Sequence, residues 1–304
     1  MSADVQTIID MHKYMRPAGG VTEAVFIARY LKPLGFQTDQ FGNLHLRIGN
    51  PRILFSSHVD TVHKNDGMQK IRYKDGVLST KNQNCLGADD TAGIWLMTEM
   101  IKAKVHGLYI IHYGEERGCL GSRELAKHPD YFEGIDIAIA FDRAGYSDVI
   151  THQMGMRTAS DAFAKELAAQ LPGKYAPDSG GAYTDTNEYA SIISECTNIS
   201  VGYHDQHTSK EQQDVAFLIE LRDALLKVEW DQIKAHRDPS VVEYDEEDWG
   251  YWPSSRFRSS RHTSYEELIE QFPDVAMQVL EALGIDQDEF EQAIEDFYGV
   301  RAAA

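Results

Sequence analysis

The sequence predicts a three-layer α/β/α fold with a mixed, largely parallel central sheet, followed by a small helical extension. Three observations carry this expectation. Apolar strand-like runs alternate with helix-periodic stretches over residues 1–236. Several of those runs end in histidine or acid. A break in composition near Arg237 then separates an acidic tail from the body.

The elements follow in chain order. Residues 4–15 and 21–34 place apolar side chains at helical spacing, and the second stretch stops at Gly35, a residue suited to a helix end. FQTDQFGNLHLRIG alternates around Phe41-Gly42-Asn43 and reads as a short hairpin. RILFSSHVD is a buried strand running into a polar loop, and IRYKDGVLST turns at Asp75-Gly76 as a second hairpin. A helix over 89–105 precedes the strand GLYIIHY, a helix near 122–132 and the strand IDIAIAFD. A helix over 159–171, the strand-like NISVGYH and a long helix over 211–234 complete the body. Residues 237–262 mix proline, serine, charge and aromatics without a period, as a linker or surface strap does. Beyond them, Thr263 with Glu266 and Asp286 with Glu289 have capping-box spacing ahead of helices at 264–283 and 287–298, in an acidic extension covering 263–304.

Composition narrows the function classes. The 304 residues are 42% hydrophobic, enough for a sizeable core. No apolar run approaches the ~20 residues that span a bilayer, and the first residues lack the basic and apolar regions of a signal peptide. Three widely spaced cysteines, Cys85, Cys119 and Cys196, argue against a disulfide framework, so a reducing cytoplasm is the expected setting. The net charge of -19 disfavours nucleic acid and anionic membranes as partners. From Asp238 onward there are 17 acidic and 4 basic residues, or -13, which leaves -6 for the body.

The residues able to do chemistry sit where the predicted strands end. RILFSSHVD delivers His58 and Asp60, two apart on an extended chain and so on one side. A carboxylate beside a histidine fixes its tautomer and raises its basicity, as a metal-bound imidazole requires. Alone, such a pair more often marks a structural histidine. Asp89 and Asp90 in LGADDTAG stand where a helix start favours negative charge, which a plain N-terminal cap also explains. Glu115-Glu116 follows an apolar strand, where like charges repel unless a cation intervenes. IDIAIAFD ends in Asp142, and NISVGYHDQHTSKE carries His204 and His207. Five strand ends or adjoining loops thus supply imidazoles and carboxylates, a donor set suited to zinc, with cobalt or manganese as substitutes.

The series HVD, GADDTAG, EERGCLGS, FDRAG and HTSKE resembles that of the co-catalytic di-zinc exopeptidases, a superfamily of aminopeptidases, tripeptidases, carboxypeptidases and deacylases. The resemblance spans about residues 1–235 in motif order. It implies that His58 and Asp142 bind one zinc, that His207 and Glu116 bind the other, and that Asp89 bridges both. Asp60 would orient His58, and Glu115 would be the general base. It further implies a cis peptide after the bridging acid, Asp89–Asp90. GGAYTDTNEY, with Asp185, is similar to a Gly-Thr-Asp segment near the site of some aminopeptidases.

Many relatives insert a lid or dimerisation domain between the aspartate ligand and the last histidine. Here only residues 143–206 lie between, so no lid is expected, which argues against a lid-mediated dimer and leaves the oligomeric state open. For substrate grip, Asp185 or Glu188 could hold a free amine, while Arg143, Arg157 or Lys210 could hold a carboxylate; His204 is a supporting group. Surface ion pairs account for these residues equally well. The expected activity is that of a zinc-dependent metallopeptidase, an aminopeptidase on short peptides. The alternatives are a deacylase of N-acyl amino acids and, in another class, an inactive metal-stabilised scaffold.

Overall fold

The computed structural model describes residues 2–81 and 83–241. The strap beyond Val241 and the helices expected at 264–283 and 287–298 lie outside the described residues.

Ser2 caps α1 (Ala3–Met11) by accepting the Val5 amide, and the chain then forms β1 (Tyr14–Met15) where the helix was expected to continue. The stretch expected as a helix over 21–34 changes pitch twice. It runs as α2 (Val21–Phe26), a π turn (Ile27–Leu31) and a 3-10 turn (Lys32–Leu34), and stops at Gly35 with φ 102°. Pro33 has no amide to donate and crowds the preceding turn, which accounts for the altered pitch.

The first expected hairpin pairs β2 (Gln37–Thr38) with β3 (Leu44–Ile48) and leads to β4 (Ile53–His58). After β5 (Gly67–Met68), which pairs with β1, the second hairpin joins β6 (Ile71–Lys74) to β7 (Val77–Thr80). Its turn residues Asp75 and Gly76 both have positive φ, as a two-residue turn matching strand twist requires. Then come α3 (Ala88–Lys102), β8 (Gly107–His112) and α4 (Leu120–Ala126). The helix expected near 122–132 ends early because Pro129 starts a separate 3-10 turn, Pro129–Phe132.

Next are β9 (Ile137–Arg143), β10 (Asp148–Ile150), a small hairpin of β11 (His152–Gln153) and β12 (Met156–Arg157), and α5 (Asp161–Ala168). The body closes with β13 (Ala176–Asp178), a 3-10 turn (Asp185–Tyr189), β14 (Glu195–Ser200), β15 (Tyr203–His204), β16 (Gln212–Asp214) and α6 (Val215–Leu225). The long helix expected over 211–234 is therefore shorter. Asp214 accepts the Phe217 amide as an N-cap, and the residues before it pair with β7 instead.

Eight strands form the central sheet in the order β13-β10-β14-β9-β4-β8-β3-β2. β14, β9, β4 and β8 run parallel in its middle, and antiparallel pairs lie towards both edges. One face packs on α1, α3, α5 and α6, the other on α4 and the turns around Phe132 and Tyr189. The arrangement is the predicted three-layer α/β/α, mixed and largely parallel. Phe55, fully buried on β4, anchors the first face: its ring lies 5.2 Å from Tyr109, 5.8 Å from Phe141 and 4.9 Å from Trp230. No helix among the described residues is long and apolar enough to cross a membrane.

A charge-sensitive point lies at the end of α1. His12 is fully buried, with Nδ1 2.7 Å from the Ile8 carbonyl, and burial pulls its pKa from 6.5 down to about 4. Between those values the unfolded chain binds a proton that the folded protein refuses, so stability falls as pH drops from 6.5 towards 4. The loss amounts to at most about 3 kcal/mol. Urea unfolding at pH 7 and 4.5 should show His12→Asn with a shallower loss than wild type; equal losses would refute the assignment.

Candidate metal centre

The parallel strands end on one rim, and the site is built there. β4 ends in His58, and the chain turns so that Asp60, fully buried, folds back beside it. His58 Nδ1 donates to the Asp60 carbonyl at 3.1 Å and lies 3.5 Å from Asp60 Oδ1. That leaves Nε2 facing the cleft. The same carboxylate accepts the amides of Glu115 at 3.1 Å and Glu116 at 3.2 Å. Asp60 therefore fixes two elements at once, the β4 histidine and the acidic turn after β8.

Asp89 and Asp90, adjacent in sequence, face different ways. The peptide joining them is cis, as the motif resemblance implies. Asp90 is fully buried and bonded to its own scaffold: the Ser57 hydroxyl, the His58 amide at 3.3 Å and the Gly93 amide at 2.9 Å. Asp89 points into the cleft with Oδ1 3.0 Å from His58 Nε2 and Oδ2 3.1 Å from His207 Nε2. Glu211 holds the loop that carries it. Its two oxygens accept the amides of Leu86, Gly87, Ala88 and Asp89 at 2.7–3.1 Å.

Three overlapping groups of possible ligands result among the described residues: His58 with Asp89 and Asp142, Asp89 with Glu116 and His207, and His58 with Glu115 and Glu116. His58 Nε2 lies 3.6 Å from Asp142 Oδ1, and His207 Nε2 lies 3.0 Å from Glu116 Oε1. Donors about 2.1 Å from a tetrahedral zinc stand about 3.4 Å apart, so this spacing suits a first-row metal. Glu116 Oε1 is buried, and despite its closeness to His207 it has no hydrogen bond of proper geometry. A buried lone pair left unbonded is a cost that a cation would remove. Asp142 is steadied from behind by Thr184 Oγ1, donating at 2.8 Å, and by the Tyr203 hydroxyl at 3.1 Å.

The electrostatics agree. Burial pushes the carboxyls of Glu115 (to about 10), Asp142 and Glu116 upward, with neighbouring acids adding to the effect and His58 opposing it. Burial pushes Asp89 in the same direction, but hydrogen bonds from His207 and His58 more than offset it. His207 itself rises to about 11 through its bond to Asp89 and the carboxylate of Glu116 close beside it. So many acids in one dry cleft call for added positive charge.

A residue outside every motif supports the centre. Arg16, fully buried, donates from Nε to the Val59 carbonyl at 2.7 Å and from Nη2 to Thr91 Oγ1 at 2.9 Å. Its backbone exchanges two further bonds with Thr61. It clips the loop after His58 to the start of α3. Only its place before a proline turn singles it out in sequence, which is no signal of this role.

The substrate-grip candidates are dispersed. Asp185 is buried and accepts the Ser122 hydroxyl at 2.5 Å; burial lifts it to about 8. Glu188 receives the Tyr183 hydroxyl. Arg157 pairs with Asp161 at the head of α5, His204 packs against Tyr146, and Lys210 is exposed. Arg143 lines the cleft together with Asp89, Glu115, Asp142 and His207. Cys85, Cys119 and Cys196 are free and buried, and burial raises all three thiols, Cys85 to about 12.

Comparison with known proteins gives the same direction. Residues 43–193 match the model of Peptidase family M28, an interval holding every residue of the site except His207 and the supports Arg16, Tyr203 and Glu211. The uncharacterized protein YqjE of Bacillus subtilis is 39% identical over 80 residues, 24% of this chain; the match spans about a fifth (21%) of that protein. Three solved structures share the fold. Aminopeptidase PepT from Bacillus cereus has a TM-score of 0.60 at 17% identity, covering 73% of this chain and 96% of its own. A tripeptidase from Staphylococcus aureus gives 0.57 at 16%, with 74% and 96% covered. The TET1 peptidase of Pyrococcus horikoshii, which assembles into a tetrahedron or a large octahedral shell, gives 0.58 at 15%, with 74% and 98% covered. In fold and motif order the chain resembles the co-catalytic di-zinc exopeptidase superfamily, as its sequence leads one to expect.

Removing the Glu211 carboxylate tests the support of Asp89. Glu211→Ala leaves four buried amides without their acceptor, which should cost about 3 kcal/mol or more in denaturant unfolding. It should also weaken binding of added zinc in calorimetry. Unaltered zinc affinity would separate the Glu211 clamp from the centre.

Proposed function

We propose that this chain is a zinc-dependent hydrolase of peptide bonds, an exopeptidase that removes the amino-terminal residue of short peptides. The observation carrying the reading is Asp89, whose two oxygens face two histidines from opposite ends of the sequence at nearly equal distance. His58 and Asp142 would hold one zinc, His207 and Glu116 the other, and Asp89 would belong to both. Bound there, the metal supplies an acidified water and a Lewis acid for the amide carbonyl.

The remaining work falls to the chain's own residues. Glu115 lines the cleft and is not needed as a ligand. Its amide is fixed by Asp60, and although its carboxylate also lies within ligand distance of His58 and Glu116, its role in this scheme is that of the base. It takes the proton of the attacking water and returns it to the leaving amine. Asp60 keeps the His58 lone pair on Nε2, the tautomer a ligand needs. Thr184 and Tyr203 hold Asp142 in one orientation.

An amino-terminal substrate suits the charge of this wall. An ammonium group would find Glu115, Asp89 and Asp142 on this wall. The names of the solved relatives, an aminopeptidase and a tripeptidase, point to the same class. Residues 143–206 contribute β10 to β15 and α5 to this body, which leaves no inserted lid domain between Asp142 and His207.

Two measurements test the reading. Glu115→Gln should keep its zinc, two ions per chain by elemental analysis, while turnover falls roughly 10²–10⁴-fold. Unchanged turnover, or fewer than two zincs in protein purified with zinc, would defeat the scheme. Free-amine dipeptides should be cleaved and their N-acetylated forms spared. Cleavage of the acetylated forms alone would move the assignment to a deacylase.

A further inference from the structure

The acidic wall of the cleft faces one basic side chain that none of the ligand roles uses. Arg143 follows Asp142 directly in β9 and is the only Lys or Arg among the described lining residues. Its guanidinium is held from two sides. Nε donates to Asp148 Oδ2 at 3.1 Å, and Nη2 lies 3.9 Å from Asp178 Oδ1. Nη1 has no bond to any described residue, and the side chain is 26% exposed.

Its uncharged neighbours offer an anion less. Asn198 donates its side-chain amide to the Asp142 carbonyl and accepts the Asp142 backbone amide at its Oδ1, and Tyr203 donates to the Asp142 carboxylate. Arg143 is thus the cleft's fixed cation with donor capacity left over. A guanidinium already held by ion pairs loses little rotamer freedom on binding a further carboxylate. Arg143 and the ligand candidate Asp142 line the same cleft.

Resting on the exopeptidase reading, we propose that Arg143 anchors the α-carboxylate of the substrate through Nη1, so that dipeptides with a free carboxyl end are the favoured substrates. A zwitterionic dipeptide then lies between charges of opposite sign, its ammonium towards the acidic wall and its carboxylate on Arg143. Peptides with an amidated end lose the second contact.

The zinc-loaded full chain should be assayed with alanyl-alanine and alanyl-alaninamide. Wild type should favour the acid by roughly tenfold or more in kcat/KM, chiefly through KM, as a charge-assisted hydrogen bond implies. Arg143→Gln should abolish most of that preference, and Arg143→Lys should retain part of it. Asp148→Asn breaks the same ion pair while keeping the cation, so it should keep the preference even if stability drops. Equal use of acid and amide by wild type, or a preference surviving in Arg143→Gln, overturns the anchor while leaving the peptidase reading intact. Failure of wild type to cleave either peptide overturns both.

Discussion

Like charges in a dry cleft repel, and the site's construction follows from that constraint. Asp60, Asp89, Asp90, Glu115, Glu116, Asp142 and Glu211 crowd the rim of four parallel strands, where water cannot screen them well. The fold answers with directed bonds before any metal is considered. Asp90 and Glu211 face inward onto hydroxyl and amide donors, Asp60 caps the turn of its neighbours, and Arg16 places a buried positive charge behind them. Only the acids that lack such partners, or share them with histidine, turn to the cleft. Acids bonded to the backbone thus serve as structure, and those left over are the ligand candidates.

That division shows what sequence could and could not reveal. His58, Glu116 and Asp142 were legible because each follows an apolar run, whereas Asp89, at a helix start, and His207, in a polar loop, were legible only within the series of motifs. Of the four parallel strands, β4, β8 and β9 read as apolar runs, while β14 is equally buried but largely polar in sequence. The edge strands β10 and β13 were not legible. Three residues each, they carry Asp148 or Pro177 and lack any run long enough to give a period. Helix ends were set by local chemistry that periodicity ignores, the Asp214 cap at one helix and Pro129 at another.

The supports escaped for a different reason. Arg16 acts through the carbonyl of Val59 and the hydroxyl of Thr91, partners 43 and 75 residues away. No spacing rule links them, because the sheet brings them together. Glu211 stood in a recognised motif, yet its four-amide grip is visible only in three dimensions. Asp185 was singled out by its resemblance to a Gly-Thr-Asp segment, and the hydroxyl of Ser122 that it accepts, 63 residues away, is visible only in three dimensions.

The spread of the ligands along the chain sets an order of assembly. In a zinc finger the binding residues lie close together, and the ion can organise a short peptide. Here the first candidate ligand is residue 58 and the last is 207, and the loop closing between them is entropically costly for an ion to hold alone. The hydrophobic faces of the sheet must bring the strand ends together first. A growing chain therefore acquires a complete centre only after His207 has joined the fold, and until then any metal it meets finds a partial set. On the proposed ligand set, an ion would be the final component of a structure whose shape is already decided.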